Sequence, residues 1–424
     1  MQIIENTKVK EKVFLEKLEN GLTIMIIPKK GIKKKYVIWG TYYGSNNNKF
    51  VVPGEEEITE VPDGVAHYLE HKMFEQENGT NSLDVLSGLG VNANAYTTND
   101  HTAYLFECTD NFEEAFTELA DYIQHPYFTD ENVEKERGII GQEISMYDDD
   151  PGWAVYLNAM KSMYFVNPVR IDTAGTQETI AKIDKEILYK CYNTFYNPSN
   201  MALVLCGDFE PKSIIENIKS KQVEKQKQGE IKRVFDEEPK PVKQKECSVQ
   251  MEVSIPTFIM AYKDEQIKEG IEKKHIAIEI LLNLILGKSS SLYKELYSKG
   301  LILGEFDFAY EFSDNYAHII IGNQSQEPKK VQEYINKHID TLKQNGINEE
   351  DFQRIKKMLY GDYIKSYNDV SIIARMFLTD YFKGVNTFDY IEIIDIITKE
   401  YTEQILKDVF KEEKQVISIV EPKG

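Results

Sequence analysis

The sequence predicts an α+β fold of two homologous domains, each a mostly antiparallel sheet flanked by helices, related by duplication. Three observations predict it. Alternating apolar runs joined by turn residues recur along the first half, as hairpins require. Amphipathic runs with helix start and stop residues lie between them. Finally, IDKEILYKCYNTFYNPSNMALVL, beginning at Ile183, is echoed by ITKEYTEQILKDVFKEEKQVISIV, beginning at Ile397, a shift of 214 (397 minus 183) without a gap. Both read as a helix opening on Ile-x-Lys-Glu, an aromatic near its end, a polar turn and a buried strand.

Taken in order, residues 12–28 form a hairpin turning at Asn20-Gly21, and a third strand follows near Tyr36 to Tyr43. After a polar loop, Asp63 caps a helix that runs to Phe74. A short helix near Ser82 to Leu86 precedes a second hairpin, with strands near Asn92–Thr98 and Thr102–Thr109. Helices span about Asn111 to Gln124 and, after Pro126 and a cap at Thr129 or Asp130, to about Tyr147. Asp148-Asp149-Asp150-Pro151 breaks that helix. Further helices fill 152–164 and 176–196, and the strand NMALVLCGDF follows.

At about 100–200 residues per domain, 424 residues make two or three domains. Residues 219–246, dense in Lys, Gln and Glu with two prolines, read as a solvated linker. The predicted organisation is therefore a domain over 1–218, the linker over 219–246 and a homologous domain over 247–424. Hydrophobic content of 42% with 28% charged residues suits a globular protein rather than a disordered one. A net charge of −20 works against nucleic-acid binding, because phosphates are repelled. The N-terminus lacks a basic and then apolar signal, and the run from Ile276 to Leu286 is too short to span a bilayer, so no membrane partner is expected. Four widely spaced cysteines, with no CxxC pair, read as reduced thiols. The expected location is the cytoplasm.

Residues 67–71 read His-Tyr-Leu-Glu-His. On a helix, His67 and His71 are four apart and leave one face, where two imidazoles can grip one zinc ion. Glu70 lies on the same side, placed to reach a water at the metal without ligating it. With only seven histidines in the chain, a chance H-x-x-[DE]-H has a likelihood of roughly two in a hundred. Two surface histidines on a helix remain the plain alternative for this motif by itself. A catalytic zinc takes a third protein ligand, and Glu143 on a later helix is the candidate. Glu136 precedes it by seven residues, about two helical turns, and shares its face. The remaining histidines, at 101, 125, 275, 318 and 338, read as surface or internally satisfied groups.

With these residues in hand, the chain resembles the insulinase/pitrilysin family of inverted-zincin metallopeptidases, nearest to its short bacterial members. GVAHYLEHKMF, GVNANAYTTNDHTAYLFE and EKERGIIGQEISMYDDDP carry the resemblance, which is close over the first half and holds in outline over the second. It implies that His67, His71 and Glu143 bind one zinc, that Glu70 is the general base, and that Glu136 is an auxiliary glutamate. It implies that Asn94, Ala95 and Thr97, in an edge strand, hold substrate backbone. The expected activity is hydrolysis of short or unfolded peptides. Active family members also carry an Arg and a Tyr, seven residues apart, in the second domain. In SSSLYKELYSKGLILGEF, Tyr297 falls where the Arg belongs and Leu303 or Gly304 where the Tyr belongs. Arg375 and Tyr381 do not have the spacing of that pair. The resemblance therefore implies a homologous partner subunit that supplies the pair, in a heterodimer or a homodimer. The alternatives are a scaffold or chaperone-like subunit of the same fold that binds peptides or a partner without catalysis, and a protein that holds zinc for structure alone.

Overall fold

The computed structural model describes every residue except Lys268 and Gly424. Along the first half run β1 (Gln2–Asn6), β2 (Glu11–Lys17), β3 (Thr23–Pro28), β4 (Lys35–Thr41), β5 (Lys49–Val51) and β6 (Ile58–Glu60). Helices α1 (Val65–Lys72) and α2 (Ser82–Gly88), the hairpin β7 (Asn92–Thr97) and β8 (Thr102–Cys108), and α3 (Phe112–Gln124) follow. Next come α4 (Asp130–Asp148), α5 (Pro151–Met163), α6 (Gln177–Ile180), α7 (Lys185–Phe195), β9 (Met201–Gly207), α8 (Pro211–Ser220) and β10 (Lys232–Arg233). The second half holds β11 (Glu246–Met251), β12 (Thr257–Asp264), α9 (Ile271–Leu286), α10 (Ser291–Ser298), β13 (Asp307–Phe312) and β14 (Ala317–Gln324). It ends with α11 (Pro328–Asn345), α12 (Glu349–Ser366), α13 (Val370–Phe382), α14 (Asp389–Ile396), α15 (Lys399–Val409) and β15 (Gln415–Pro422).

The fold is the duplicated α+β architecture. One sheet has the order β1-β2-β3-β9-β4-β8-β7 and the other β11-β15-β12-β14-β13. Matching β3, β9, β4, β8 and β7 to β11, β15, β12, β14 and β13 superimposes the two orders. A parallel pair falls at the same place in each, β3 with β9 and β11 with β15, and the other neighbours are antiparallel. The repeat spaced by 214 residues is the α7–β9 pair in the first sheet and the α15–β15 pair in the second.

The two compact units do not follow a single cut in the chain. The first comprises Met1–Ile144, Asp172–Val234 and Ile364–Thr387, and the second Ser145–Ile171, Phe235–Tyr363 and Phe388–Gly424. The expected division into 1–218 and 247–424 misses an exchange of helices. α5, from the first half, packs on β11, β12 and β15 within the second unit. There Val155, Ala159 and Met160 join Ile259, Ala261 and Val416 in one core. α13, from the second half, packs on β4 and β9 within the first unit. Its approach requires Gly40, where a Cβ would stand 2.8 Å from the Phe382 ring and 3.0 Å from Leu378. Phe382 also stacks on Tyr42, and Arg375 Nε donates to Tyr36 Oη at 2.8 Å.

The segment 219–246 is pinned rather than freely solvated. Ile231 is buried in the first unit's core, and β10 pairs with β5. In the second unit the Glu238 carboxylate accepts from the amides of residues 165, 166 and 167 and pairs with Lys263. The stretch Ile271–Ser298 is apolar enough by composition to cross a membrane. In the structure α9 turns Ile276, Ile280, Leu281 and Leu282 into the core, as a buried helix does.

Candidate metal centre and catalytic residues

The site is built on α1. Val65, Tyr68, Leu69, Lys72 and Met73 are at most 1% exposed and form one stripe of the helix. That spacing turns His67, Glu70 and His71 to the other face. Burying Tyr68 and Leu69 fully contributes about 1.5–3 kcal/mol each and fixes the rotation of the helix. Asp63 does not cap it, contrary to the sequence expectation. The N-cap is Gly64, at φ 94°, with no side-chain cap, and Asp63 Oδ1 instead accepts from Asn48 Nδ2 at 2.9 Å. Gly64 is required twice over. Its backbone is left-handed, and a Cβ there would lie 2.5 Å from the Ala174 carbonyl oxygen.

α4 brings the acidic partners. Asn132 N–H donates to Thr129 Oγ1 at 3.1 Å, which caps the helix start. Its core stripe is Val133, Ile140 and Ile144, whereas Ile139 and Met146 are exposed. Tyr68 Oη donates to the Val133 carbonyl and ties α1 to α4. With that stripe inward, Glu136 and Glu143 meet the face of α1 that carries the histidines.

The structure brings His67, His71 and Glu143 together, with ligand atoms all within 4.8 Å of one another. His71 Nε2 lies 3.4 Å from Glu143 Oε2, and His67 Nε2 lies 3.7 Å from Glu143 Oε1. Two ligand atoms bound tetrahedrally to zinc at about 2.0–2.1 Å stand about 3.3 Å apart. The spacing and the His₂Glu donor set therefore fit zinc, and among the described residues this group contains no cysteine. Burial first, then the neighbouring His71, pushes His67 down to about 3, so it is neutral at pH 7, as a metal-binding imidazole must be. Burial acts downward on His71 too, but its hydrogen bond to Glu136 and the charges of Glu70, Glu136 and Glu143 outweigh it and raise the group.

Glu136 places Oε1 2.9 Å from His71 Nδ1. Burial acts to raise its carboxyl, and the contact with His71 and the charge of Lys72 bring it below the usual carboxylate range. Glu70 is almost enclosed, and burial raises its carboxyl. Thr97 Oγ1 donates to Glu70 Oε2 at 2.6 Å and partly offsets that rise. Thr97 was expected to hold substrate backbone. Its side chain is engaged with Glu70, a link that no spacing in the sequence reveals because it joins two elements.

β7 is the last strand of its sheet. Thr98 N–H donates to the His101 carbonyl at 2.8 Å, closing the hairpin. By the alternation of an antiparallel ladder, Asn94 and Tyr96 then turn their amides toward β8, and Ala93, Ala95 and Thr97 turn theirs to the open edge. The Ala95 amide donates to Asn94 Oδ1 at 2.8 Å, so Asn94 covers this edge donor itself. Tyr297 and Leu303, where the Arg and Tyr were sought, are 57% and 55% exposed, and Tyr297 stacks on Tyr293.

Two family models match the chain. Residues 56–177 match Insulinase (Peptidase family M16), and residues 182–359 match Peptidase M16 inactive domain. A Bacillus subtilis protein named zinc protease YmfH is 39% identical over 99% of both chains. This chain belongs to the insulinase family, peptidase family M16. A second Bacillus subtilis protein, named zinc protease YmxG, is 24% identical over 88% of this chain and 91% of its own. A crystal structure from Alicyclobacillus acidocaldarius, described as an M16-like peptidase, superposes with a TM-score of 0.94 at 32% identity, over 99% of this chain and 100% of that one. The Escherichia coli periplasmic protease PqqL shares the fold, with a TM-score of 0.76 at 16% identity, and this chain spans 48% of its length.

Proposed function

We propose that this chain is the zinc-bearing subunit of an endopeptidase acting on short or unfolded peptides. The observation that carries the reading is the convergence of His67, His71 and Glu143 beside Glu70, a carboxylate held by the edge strand. The names of the relatives, zinc proteases, agree with it. His67, His71 and Glu143 are the residues that would hold the metal. A zinc ion held there would supply Lewis-acid polarisation of a scissile carbonyl and a water acidic enough to ionise near neutral pH.

Glu70 is placed to take a proton from the attacking water and return it to the leaving amine. The Thr97 hydrogen bond holds one carboxylate oxygen of Glu70 and aims the other. A substrate strand docks along β7, where its carbonyl replaces Asn94 Oδ1 on the Ala95 amide. Backbone pairing of this kind selects extended, unfolded peptides with little regard to sequence.

The test of the metal centre is stoichiometry. The purified chain is expected to hold about one zinc, and His71→Ala to hold none. Stoichiometric zinc in the His71→Ala protein overturns the assignment. The test of docking is Ala95→Pro. This substitution removes the outward amide and leaves the β7–β8 ladder donors in place. Peptide binding should weaken about three- to tenfold, the worth of one hydrogen bond, with zinc content unchanged. Equal peptide affinity would contradict strand addition.

A further inference from the structure

We propose that Lys72 is a positioning residue for the metal centre, acting through Glu136 on His71. The inference rests on the reading of His67, His71 and Glu143 as zinc ligands.

Lys72 interrupts a pattern. It stands on the core stripe of α1 with Val65, Tyr68, Leu69 and Met73, and its side chain is 0% exposed. The period calls for a Leu or Met there. An ammonium group taken fully out of water persists only beside carboxylates that replace its hydration. Lys72 Nζ has two such neighbours. Glu75 Oε2 is in hydrogen-bond contact, and Glu136 Oε2 is 4.0 Å away.

The second neighbour connects the ammonium to the site. Glu136 turns Oε2 toward Lys72 and Oε1 toward His71 Nδ1, at 2.9 Å. With one oxygen drawn to the ammonium, the other is left to accept the Nδ1 proton. Holding that proton on Nδ1 keeps the Nε2 lone pair of His71 aimed at Glu143 and the metal. His67 has no such support, because its Nδ1 is buried without a hydrogen-bond partner among the described residues. The chain therefore orients one of its two imidazoles through a line of three groups, Lys72, Glu136 and His71. A hydrophobic residue at 72 would pack as well and leave Glu136 free to rotate.

The experiment is a double-mutant cycle in the full-length chain, read as zinc affinity by chelator competition and as the visible spectrum of the cobalt-substituted protein. Lys72→Met and Glu136→Gln are each expected to weaken zinc about 10–100-fold, as loss of an outer partner of a ligand does. If Lys72 acts through Glu136, the double variant is within about threefold of the weaker single, and both singles change the cobalt spectrum alike. Multiplying losses in the double variant overturn the inference. So does a folded Lys72→Met chain with parental zinc affinity, including one that only melts earlier as the apoprotein. Should Lys72→Met not fold, Glu75→Gln replaces it, since the Glu75 side chain is 31% exposed and tolerates change. With Glu75 neutral the ammonium is left to Glu136, and zinc affinity is expected to change severalfold in the parent and not in the Glu136→Gln background. Unchanged zinc affinity in the parent background overturns the inference. A parent chain that binds no zinc at all overturns instead the metal reading beneath it.

Discussion

Glu70→Gln is expected to bind zinc as the parent chain does and to lose peptide hydrolysis by at least about a hundredfold, the lower range for removing a general base. The substitution keeps the size of the side chain and an oxygen for the Thr97 hydroxyl, which now donates to Glu70 Oε2 at 2.6 Å. It takes away the one function a carboxamide lacks, the ability to accept and return a proton. His67, His71 and Glu143 are untouched, so metal content separates loss of chemistry from loss of the site. Parallel measurement of turnover and zinc per chain decides the matter. Parental turnover in Glu70→Gln assigns the base elsewhere, and loss of zinc along with turnover assigns Glu70 to the metal shell instead.

The second large effect concerns what this chain lacks. In the proposed reaction Glu70 and a bound zinc would prepare the nucleophile, and the oxyanion that forms would also need donors aimed at it. Loss of one such donor costs about a hundred- to a thousandfold in rate. Tyr297 and Leu303 stand where the family's Arg and Tyr are expected, and neither offers a cation or a phenol in the paired arrangement. The isolated chain is therefore expected to be at least about a hundredfold slower than its mixture with a homologous subunit carrying the pair. Peptide cleavage is assayed for the chain alone, with the partner, and with the partner's Arg and Tyr replaced. Full activity from the isolated chain refutes the requirement, and equal rescue by the disarmed partner assigns the partner a different role.

How much of this was legible in the residues depends on how local each interaction is. His67 and His71 are one helical turn apart, and Glu136 and Glu143 two turns apart, so helix geometry alone states which side chains leave together. The hairpin of β7 and β8 and the repeat of α7–β9 in α15–β15 are legible for the same reason: they are short-range patterns. What escaped are choices between partners. An amphipathic run shows that α13 has an apolar face, but not that β4 and β9, rather than a sheet of its own half, will cover it. Asp63 has the chemistry of a cap. Gly64 took the N-cap position because a Cβ there would strike the Ala174 carbonyl, a contact made across more than a hundred residues. Lys72 was visible all along as a charge on an apolar period, yet its meaning needed Glu136 beside it.

The exchange of α5 and α13 bears on how the chain comes into being at the ribosome. The metal-binding face is complete in sequence once α7 and β9 have emerged. The sheet beneath it still lacks the helix that backs β4 and β9, and Thr23 waits for Tyr381, 358 residues on, to close its hydroxyl contact at 2.8 Å. Contacts of such sequence separation are slow to form and leave apolar surface bare in the meantime. The first unit thus matures only after nearly all of the chain has been translated. A chain assembled in this order stays unfinished during its own synthesis, and a chain truncated before α13 retains every residue proposed for catalysis while losing the helix that closes the sheet behind them.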